Sequence, residues 1–353
     1  MSSVFIIGAG ASIDAGFPSG DELRAHISDS LDFKFDNSSS NPRIIKGSYE
    51  IYKAMRLHIQ RSEVKPNIND FVSTARHVAH AVRIATSIDH LIETHADNER
   101  LALISKLAIA MAIKKCEASS KIIVDPGNAY NKMDFEFIDS STWYRELFNI
   151  LFLGCKVEDI EAVLDSVTFI VFNYDRCLEY VMFHMIKDYF GLEAEHAQEL
   201  MLNANFYHPY GTVGSRGRAV PARNHLIDIT SAPDGSSLLE NARLLRTFSE
   251  GTDEESSDIS KIRDSLQTAD QIVSLGFAYH DINLRLLNVS GEQGKTPFFG
   301  TAMSISAPNL ETIKRDMSDH LGIISIKALE NQSCRDFLKD FNGPIGRIHR
   351  GSL

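Results

Sequence analysis

The chain has 353 residues, of which 43% are hydrophobic and 24% charged, so it can bury a large core and does not have the composition of a disordered protein. A formal net charge of −11 and a pI near 5.6 argue against a broad basic face, so direct binding to nucleic acid or to an acidic membrane is not expected. No basic leader precedes the apolar start and no apolar run approaches a membrane span, so a cytoplasmic location is expected.

Val4-Phe5-Ile6-Ile7 reads as a short buried strand, and Gly8 and Gly10 let the backbone turn tightly behind it. The turn runs toward a helix with an acidic first turn, Ser19-Gly20-Asp21-Glu22-Leu23-Arg24. Main-chain N–H groups around Gly8, Ala9, Gly10, Ala11 and Ser12 can therefore converge on a pyrophosphate. The dehydrogenase fingerprint needs a third glycine where this chain has Ile13, and no acidic residue closes a convincing second strand about 20 residues later, so a hydride-transfer enzyme is a poor fit.

The order Gly8-Ala9-Gly10-Ala11-Ser12, followed by Ala15-Gly16-Phe17-Pro18, resembles the opening of the sirtuin family, whose members read G-A-G-I-S-x-x-A-G-I-P. Beyond Pro18 the sirtuin D-F-R is replaced by Ser19-Gly20-Asp21, which resembles the divergent sirtuin-like proteins of bacterial antiphage defence. The resemblance implies that Gly8 to Ser12, with Asp14, Gly16, Phe17 and Pro18, bind NAD. Asp14 would touch the nicotinamide ribose, although capping a helix is its more ordinary job. Sirtuin deacylases carry a four-cysteine zinc ribbon. Here Cys116, Cys155, Cys177 and Cys334 are far apart and form no C-x-x-C pair, so neither zinc nor another metal is expected and the thiols read as reduced and mostly buried.

Further along, Lys34 to Lys46 is polar, with Ser38 to Ser40 and Pro42, and reads as a surface loop. From Tyr49 to Cys116 apolar residues recur at three-to-four spacing, as in Phe71, Ala75, Val78, Ala79 and Val82, with Asn67 or Asn69 as a cap. This predicts an insertion of two to three helices. Its histidines, His58, His77, His80, His90 and His95, show no ligand spacing. A strand-turn is predicted over Lys121 to Tyr130, from a short apolar triad and Asp125-Pro126-Gly127, then helices over Trp143 to Leu153 and Val157 to Leu164.

Ser166 to Phe172 reads as a central buried strand ending in Asn173-Tyr174-Asp175, with an amphipathic helix from Arg176 to Phe190. Asn205-Phe206-Tyr207-His208-Pro209-Tyr210-Gly211-Thr212-Val213-Gly214 reads as a short strand closing into a glycine turn. The polar stretch from Ser215 to Ser257 reads as a connection with a helix over Leu238 to Phe248. Ser260 to Ala269 reads as a helix, and Gln271 to Leu275 as a strand ending at Gly276-Phe277 before a helix that begins at Asp281. Phe298 to Ser306 and Gly322 to Ile326 are further strand candidates, with Pro308-Asn309 opening a helix between them.

This alternation predicts an α/β fold: a Rossmann-like doubly wound parallel sheet over 1–48 and 120–353, with a helical insertion module over 49–119. Asn173 and Asp175 match the sirtuin Q-N-I-D segment. The sirtuin L-H-G-S segment, whose histidine is the base, aligns with Tyr210-Gly211-Thr212, and His208 would point to the same side as Tyr210 if the segment stays extended, so both remain candidates. Gly276 and Phe277 resemble the segment that lies against the adenosine ribose.

On this resemblance NAD is the substrate. Asn173 orients a water, Asp175 binds the carboxamide or fixes Asn173, and His208 accepts a proton. The leading expectation is an NAD hydrolase of antiphage defence, held in check by homo-oligomer formation or by a partner subunit such as a HerA-type ATPase. The alternatives are an NAD-dependent protein deacylase or ADP-ribosyltransferase, and a catalytically silent module that binds NAD or ADP-ribose.

Overall fold

The computed structural model describes residues 2–36, 43–124, 132–214, 233–255, 257–289, 296–323 and 325–350. Its centre is β1 (Ser3–Ile7), five residues that are all buried, which a strand covered by neighbours on both edges and by helices on both faces requires. A 3-10 helix (Ala9–Ala15) follows, and Gly16, at φ 86, turns the chain into α1 (Gly20–Leu31). Ser19 and Glu22 close a reciprocal capping box at the start of α1, which fixes where the helix begins.

Lys34 to Lys46, expected as a surface loop, instead contains a small antiparallel hairpin, β2 (Lys34–Asp36) with β3 (Arg43–Lys46). Phe35 there packs edge-on to Tyr52 and near Phe33, which is what draws this polar segment into a sheet. Ser38 to Ser40 and Pro42 lie outside the described residues.

The insertion holds four helices rather than two to three: α2 (Tyr49–Arg61), α3 (Ile68–Ala81), α4 (Ile88–Thr94) and α5 (Glu99–Ser119). Asn67 caps α3, its side chain accepting from the Asn69 N–H at 2.9 Å. Then come α6 (Phe135–Ser141), α7 (Tyr144–Phe152) and α8 (Ile160–Asp165), which leads into β4 (Val167–Val171). Of the strand-turn expected over Lys121 to Tyr130, residues 121–124 form no strand and 125–130 lie outside the described residues.

Next are α9 (Cys177–Phe190), α10 (Ala194–Asn203) and β5 (Asn205–Tyr207), then α11 (Gly235–Leu244), α12 (Phe248–Thr252), α13 (Ile259–Gln267) and β6 (Gln271–Leu275). Of the stretch expected as a polar connection, 215–232 and 256 lie outside the described residues. The chain ends with α14 (Asp281–Leu286), β7 (Phe298–Thr301), α15 (Ala307–Leu321), β8 (Ile326–Glu330) and α16 (Cys334–Arg350). β8 starts where the expected strand Gly322 to Ile326 was to end, because Gly322, at φ 60, is the left-handed cap of α15 and is committed to closing that helix.

The main sheet runs β5-β4-β1-β6-β7-β8, all parallel. Counting only its six strands in chain order gives 3-2-1-4-5-6, the Rossmann order, so the fold is a Rossmann-like doubly wound α/β sheet. The chain departs from β1 toward β4 and β5, then returns to the other side of β1 as β6. That reversal leaves a crevice beyond the carboxyl ends of β1 and β6. The helices of 49–119 are not set apart from the rest: α1 packs on α3 and α5, and α11 packs on α2 and α5.

Candidate functional site

A cavity of about 670 Å³ opens at this crevice, within the size range of small-molecule and cofactor sites. Its floor is made by the loops after β1, β4 and β6, one wall by Thr86 to Asp89 at the start of α4, and the far end by the turns after β7 and β8. Of the residues singled out in the sequence, Gly8, Ala9, Gly10, Asp14, Pro18, Asn173, Asp175, Tyr210, Gly276 and Phe277 line it. Ala11, Ser12, Gly16, Phe17, His208, Gly211 and Thr212 are not on its wall.

The glycines after β1 are explained first by packing. A Cβ on Gly8 would lie 2.5 Å from the Gly276 carbonyl oxygen, and one on Gly10 would lie 2.9 Å from the same atom. The Gly8 N–H donates to the Leu275 carbonyl at 2.9 Å and the Gly10 N–H to the Gly276 carbonyl at 3.0 Å, while the Ala11 N–H goes back to Gly8. The two glycine turns are therefore stitched backbone to backbone at the switch point. Gly10 and Ala11 have spent the N–H groups that a pyrophosphate cradle would need. Of the N–H groups that open the 3-10 helix, only that of Ala9 has no backbone acceptor among the described residues.

No lysine or arginine lines the cavity among the described residues, so a diphosphate there would rest on main-chain N–H groups. Besides Ala9, the starts of α1 (Ser19, Gly20, Asp21) and α16 (Ser333, Cys334) face it.

The loop is held from behind by Trp143, whose Nε1–H donates to the Ala11 carbonyl at 2.6 Å inside the core, and by Ser120, whose hydroxyl donates to the Ala15 carbonyl. Trp143→Phe would strand a buried carbonyl, and a stability loss of about 1 to 3 kcal/mol is expected. Denaturant unfolding measures it, and an unchanged midpoint would show that the carbonyl finds another donor.

β4 delivers Asn173 and Asp175 to the floor, both buried. Asn173 Nδ2 donates to Ser12 Oγ at 2.8 Å, and Ser12 Oγ donates to Asp175 Oδ1 at 3.1 Å. The single hydroxyl hydrogen fixes the direction of this chain, and with it the orientation of the Asn173 amide. Asn173 Oδ1 is buried with no hydrogen-bond partner. Burial pushes the Asp175 carboxyl above its ordinary 3.8, offset in part by hydrogen bonds from Cys177 and Ser12. Ser12 therefore does not face the ligand space but supports the residues that do.

Behind this floor, Lys114 and Arg176 flank the buried carboxylate of Glu117, at 2.8 and 3.7 Å. The cluster joins α5 of the insertion to the start of α9, next to Asp175.

His208 is not where extended backbone would put it. The Gly211 N–H donates to the His208 carbonyl at 3.0 Å and Gly211 sits at φ 71, so the His208–Gly211 segment bends into a turn. The bend separates two side chains expected on one side: Tyr210 joins the cavity wall and His208 turns away. His208 Nε2 lies 2.6 Å from Glu179 Oε1, and Nδ1 lies 3.3 Å from the Asn173 carbonyl, an acceptor only. Both ring nitrogens are occupied within the protein, so His208 is not placed to take a proton from a ligand in the cavity. It braces the backbone of Asn173 instead.

Tyr210 also does not fit the role of a base. Its hydroxyl donates to Asn283 Oδ1 at 2.8 Å, and burial raises its pKa further above the ordinary 10.0. Gly211 packs against the Leu244 carbonyl and Thr212 bonds the Gly214 carbonyl, so both shape the turn rather than the ligand space.

Several lining residues carried no motif in the sequence. Asp89 accepts from the Tyr174 hydroxyl, which ties the insertion to the loop after β4, and burial raises its carboxyl above 3.8. Cys334 lies at the start of α16, but burial lifts its thiol to about 12, so it is not a nucleophile near neutral pH. His280 lines the cavity just before α14. Its position after the β6 glycine turn was the available signal, since polar residues at the carboxyl end of a central strand are where open α/β sheets place ligands.

No protein-family model and no curated protein matches the chain. No helix among the described residues is long and apolar enough to cross a membrane.

Proposed function

We propose that the chain cleaves NAD with water, giving nicotinamide and ADP-ribose. The observation that carries this reading is the buried, unpartnered Oδ1 of Asn173 on the wall of a cofactor-sized cavity at the switch point of a Rossmann-ordered sheet. Leaving such an acceptor bare costs about 1 to 3 kcal/mol, a cost that a water or a ribose hydroxyl removes on binding.

Cleavage of the nicotinamide–ribose bond leaves an oxocarbenium-like carbon, so catalysis consists of holding the sugar and aiming a water at it. An amide oxygen accepts a hydrogen from that water without itself attacking the carbon. The Ser12–Asp175 chain holds the other end of the amide, so little reorganisation is left to the reacting complex. Asp14, Pro18, Tyr210 and Phe277 supply further wall to the nucleotide, and no metal enters the scheme.

The test is direct: purified chain is incubated with excess NAD and free nicotinamide is followed by chromatography. No release above the uncatalysed background would sink the hydrolase reading. A second reading, a module that binds NAD or ADP-ribose without turnover, draws support from the engagement of both His208 nitrogens. It predicts calorimetric heat of NAD binding with no nicotinamide. A deacylase or ADP-ribosyltransferase would change its products when an acyl-lysine peptide is added.

The sirtuin-like resemblance supports a setting in antiphage defence, where NAD depletion on infection is restrained by self-assembly or by a partner subunit such as a HerA-type ATPase. Cellular NAD measured through an infection cycle tests that setting.

A further inference from the structure

We infer that His280 is the proton acceptor of this site, a role that rests on the NAD-cleaving reading and names the residue that completes it. His280 lies on the cavity wall, only partly buried, and neither of its ring nitrogens has a hydrogen-bond partner among the described residues. Of the other ionisable groups on the wall, Asp14 is set toward Arg335 and Asp336 of α16, and three more are already committed. Asp89 holds the Tyr174 hydroxyl, Asp175 holds Ser12 and the Cys177 N–H, and Tyr210 gives its hydrogen to Asn283.

The neighbourhood of Asn173 is fixed through Tyr210. Its ring packs 5.8 Å from Phe172 and 6.4 Å from Tyr174, the residues on either side of Asn173. Its hydroxyl meets Asn283, whose main-chain N–H donates to the His280 carbonyl at 2.9 Å. Asn173 and His280 thus flank one tyrosine within one cavity.

The backbone before His280 is held under strain. Tyr279 adopts φ 56, unusual for a residue with a side chain, and its hydroxyl is locked between Ser274 Oγ at 2.5 Å and the Thr301 carbonyl at 3.0 Å. Gly300 leaves the space for that hydroxyl, since a Cβ there would lie 2.6 Å from it. A costly conformation maintained by a buried network fixes where His280 projects.

The groups facing His280 also favour a neutral ring. Burial lowers its pKa from the ordinary 6.5, and His90 of α4 and Arg24 of α1 lower it further, against an opposing pull from Asp21 of α1. Asp281 on its own helix is engaged with Arg285 at 2.9 Å and His320 at 3.3 Å. With the folded pKa depressed, the unfolded ring binds the proton more readily, so this group adds stability as pH rises through the window below 6.5.

In the proposed step the water oxygen bonds to the anomeric carbon as the carbon–nitrogen bond breaks, its electron pair leaving with neutral nicotinamide. The water proton passes to the free imidazole nitrogen of His280 and then to solvent. The net change is NAD plus water to nicotinamide, ADP-ribose and one proton.

The test compares wild type, His280→Ala and His280→Gln for nicotinamide release across pH, with NAD binding followed by thermal shift. Both variants are expected to lose at least about 100-fold in turnover, the general-base range, while the thermal shift on adding NAD is kept. The acid limb of the wild-type kcat/KM profile disappears in both, and added imidazole restores part of the rate in His280→Ala, which a merely structural role would not produce. An active wild type whose His280 variants keep their rate and acid limb overturns the assignment alone. A wild type that binds NAD and releases no nicotinamide overturns the hydrolase reading, and the base with it.

Discussion

Asn173→Ala is expected to lower nicotinamide release by at least about 100-fold, the scale seen when one preorganised polar group is taken from a reacting centre. The loss should fall on kcat, with KM changing little, because the carboxamide oxygen is assigned to the water rather than to the bulk of the nucleotide. The variant removes a buried acceptor that has no partner in the protein, so folding should not suffer for want of that bond. Ser12 Oγ loses the Nδ2 donor but keeps Asp175. Asn173→Asp separates shape from charge: it keeps an acceptor but places a second carboxyl near Asp175, and it should also be slow. Full turnover in Asn173→Ala, with the variant folded and binding NAD, would remove the residue from the chemistry.

The second large effect is expected from Gly276→Ala. The new Cβ would lie 2.1 Å from the Ala11 nitrogen and 2.5 Å from the Gly10 carbonyl carbon, both backbone atoms that cannot swing aside, and Gly276 sits at φ 59. A left-handed conformation alone costs a side chain roughly 1 to 2 kcal/mol, and moving two packed turns apart adds about 1 to 3 kcal/mol more.

Gly16→Ala is the control, because Gly16 is also left-handed, at φ 86, but a Cβ there meets nothing within 4 Å. The Gly16 variant should therefore lose only about 1 to 2 kcal/mol and keep NAD binding, since its penalty is confined to its own φ. Gly276→Ala should lose both stability and the thermal shift caused by NAD, because the stitched turns form the cavity floor. Equal midpoints for the two variants would mean that the close approach of the loops is not needed.

The parts of the fold that were readable from sequence are those where one local pattern has one physical solution. β1 and β4 are near-continuous apolar runs stopped by a glycine or by Asn173-Tyr174-Asp175, and a strand buried on both faces is the arrangement that satisfies such a run; β6, which carries Gln271 and Ser274, is marked instead by the glycine that ends it. Asn173 and Asp175 stood out because they follow directly on the apolar run that ends at Phe172, whereas Asp89 reaches the cavity only through the packing of α4.

His208 shows why a side chain's direction is harder to foresee than its location. Alternation assumes extended backbone, but Gly211 bends the segment, and Glu179 on α9 offers a buried carboxylate that sequence spacing does not reveal. The glycines after β1 carry a related lesson: they promise close backbone approach, and part of what approaches is the chain's own Gly276. α16 was missed because Gly343-Pro344 interrupts its amphipathic pattern, although the helix continues through the proline.

The most direct measurement is turnover of NAD by the purified chain in heavy-oxygen water, with both products analysed by mass spectrometry. A water aimed by Asn173 at the nicotinamide ribose predicts one nicotinamide released for each NAD consumed, and ADP-ribose carrying a single heavy oxygen on the former anomeric carbon. NAD that binds yet is recovered intact, or ADP-ribose formed without the label at that carbon, would contradict a hydrolytic site at the switch point.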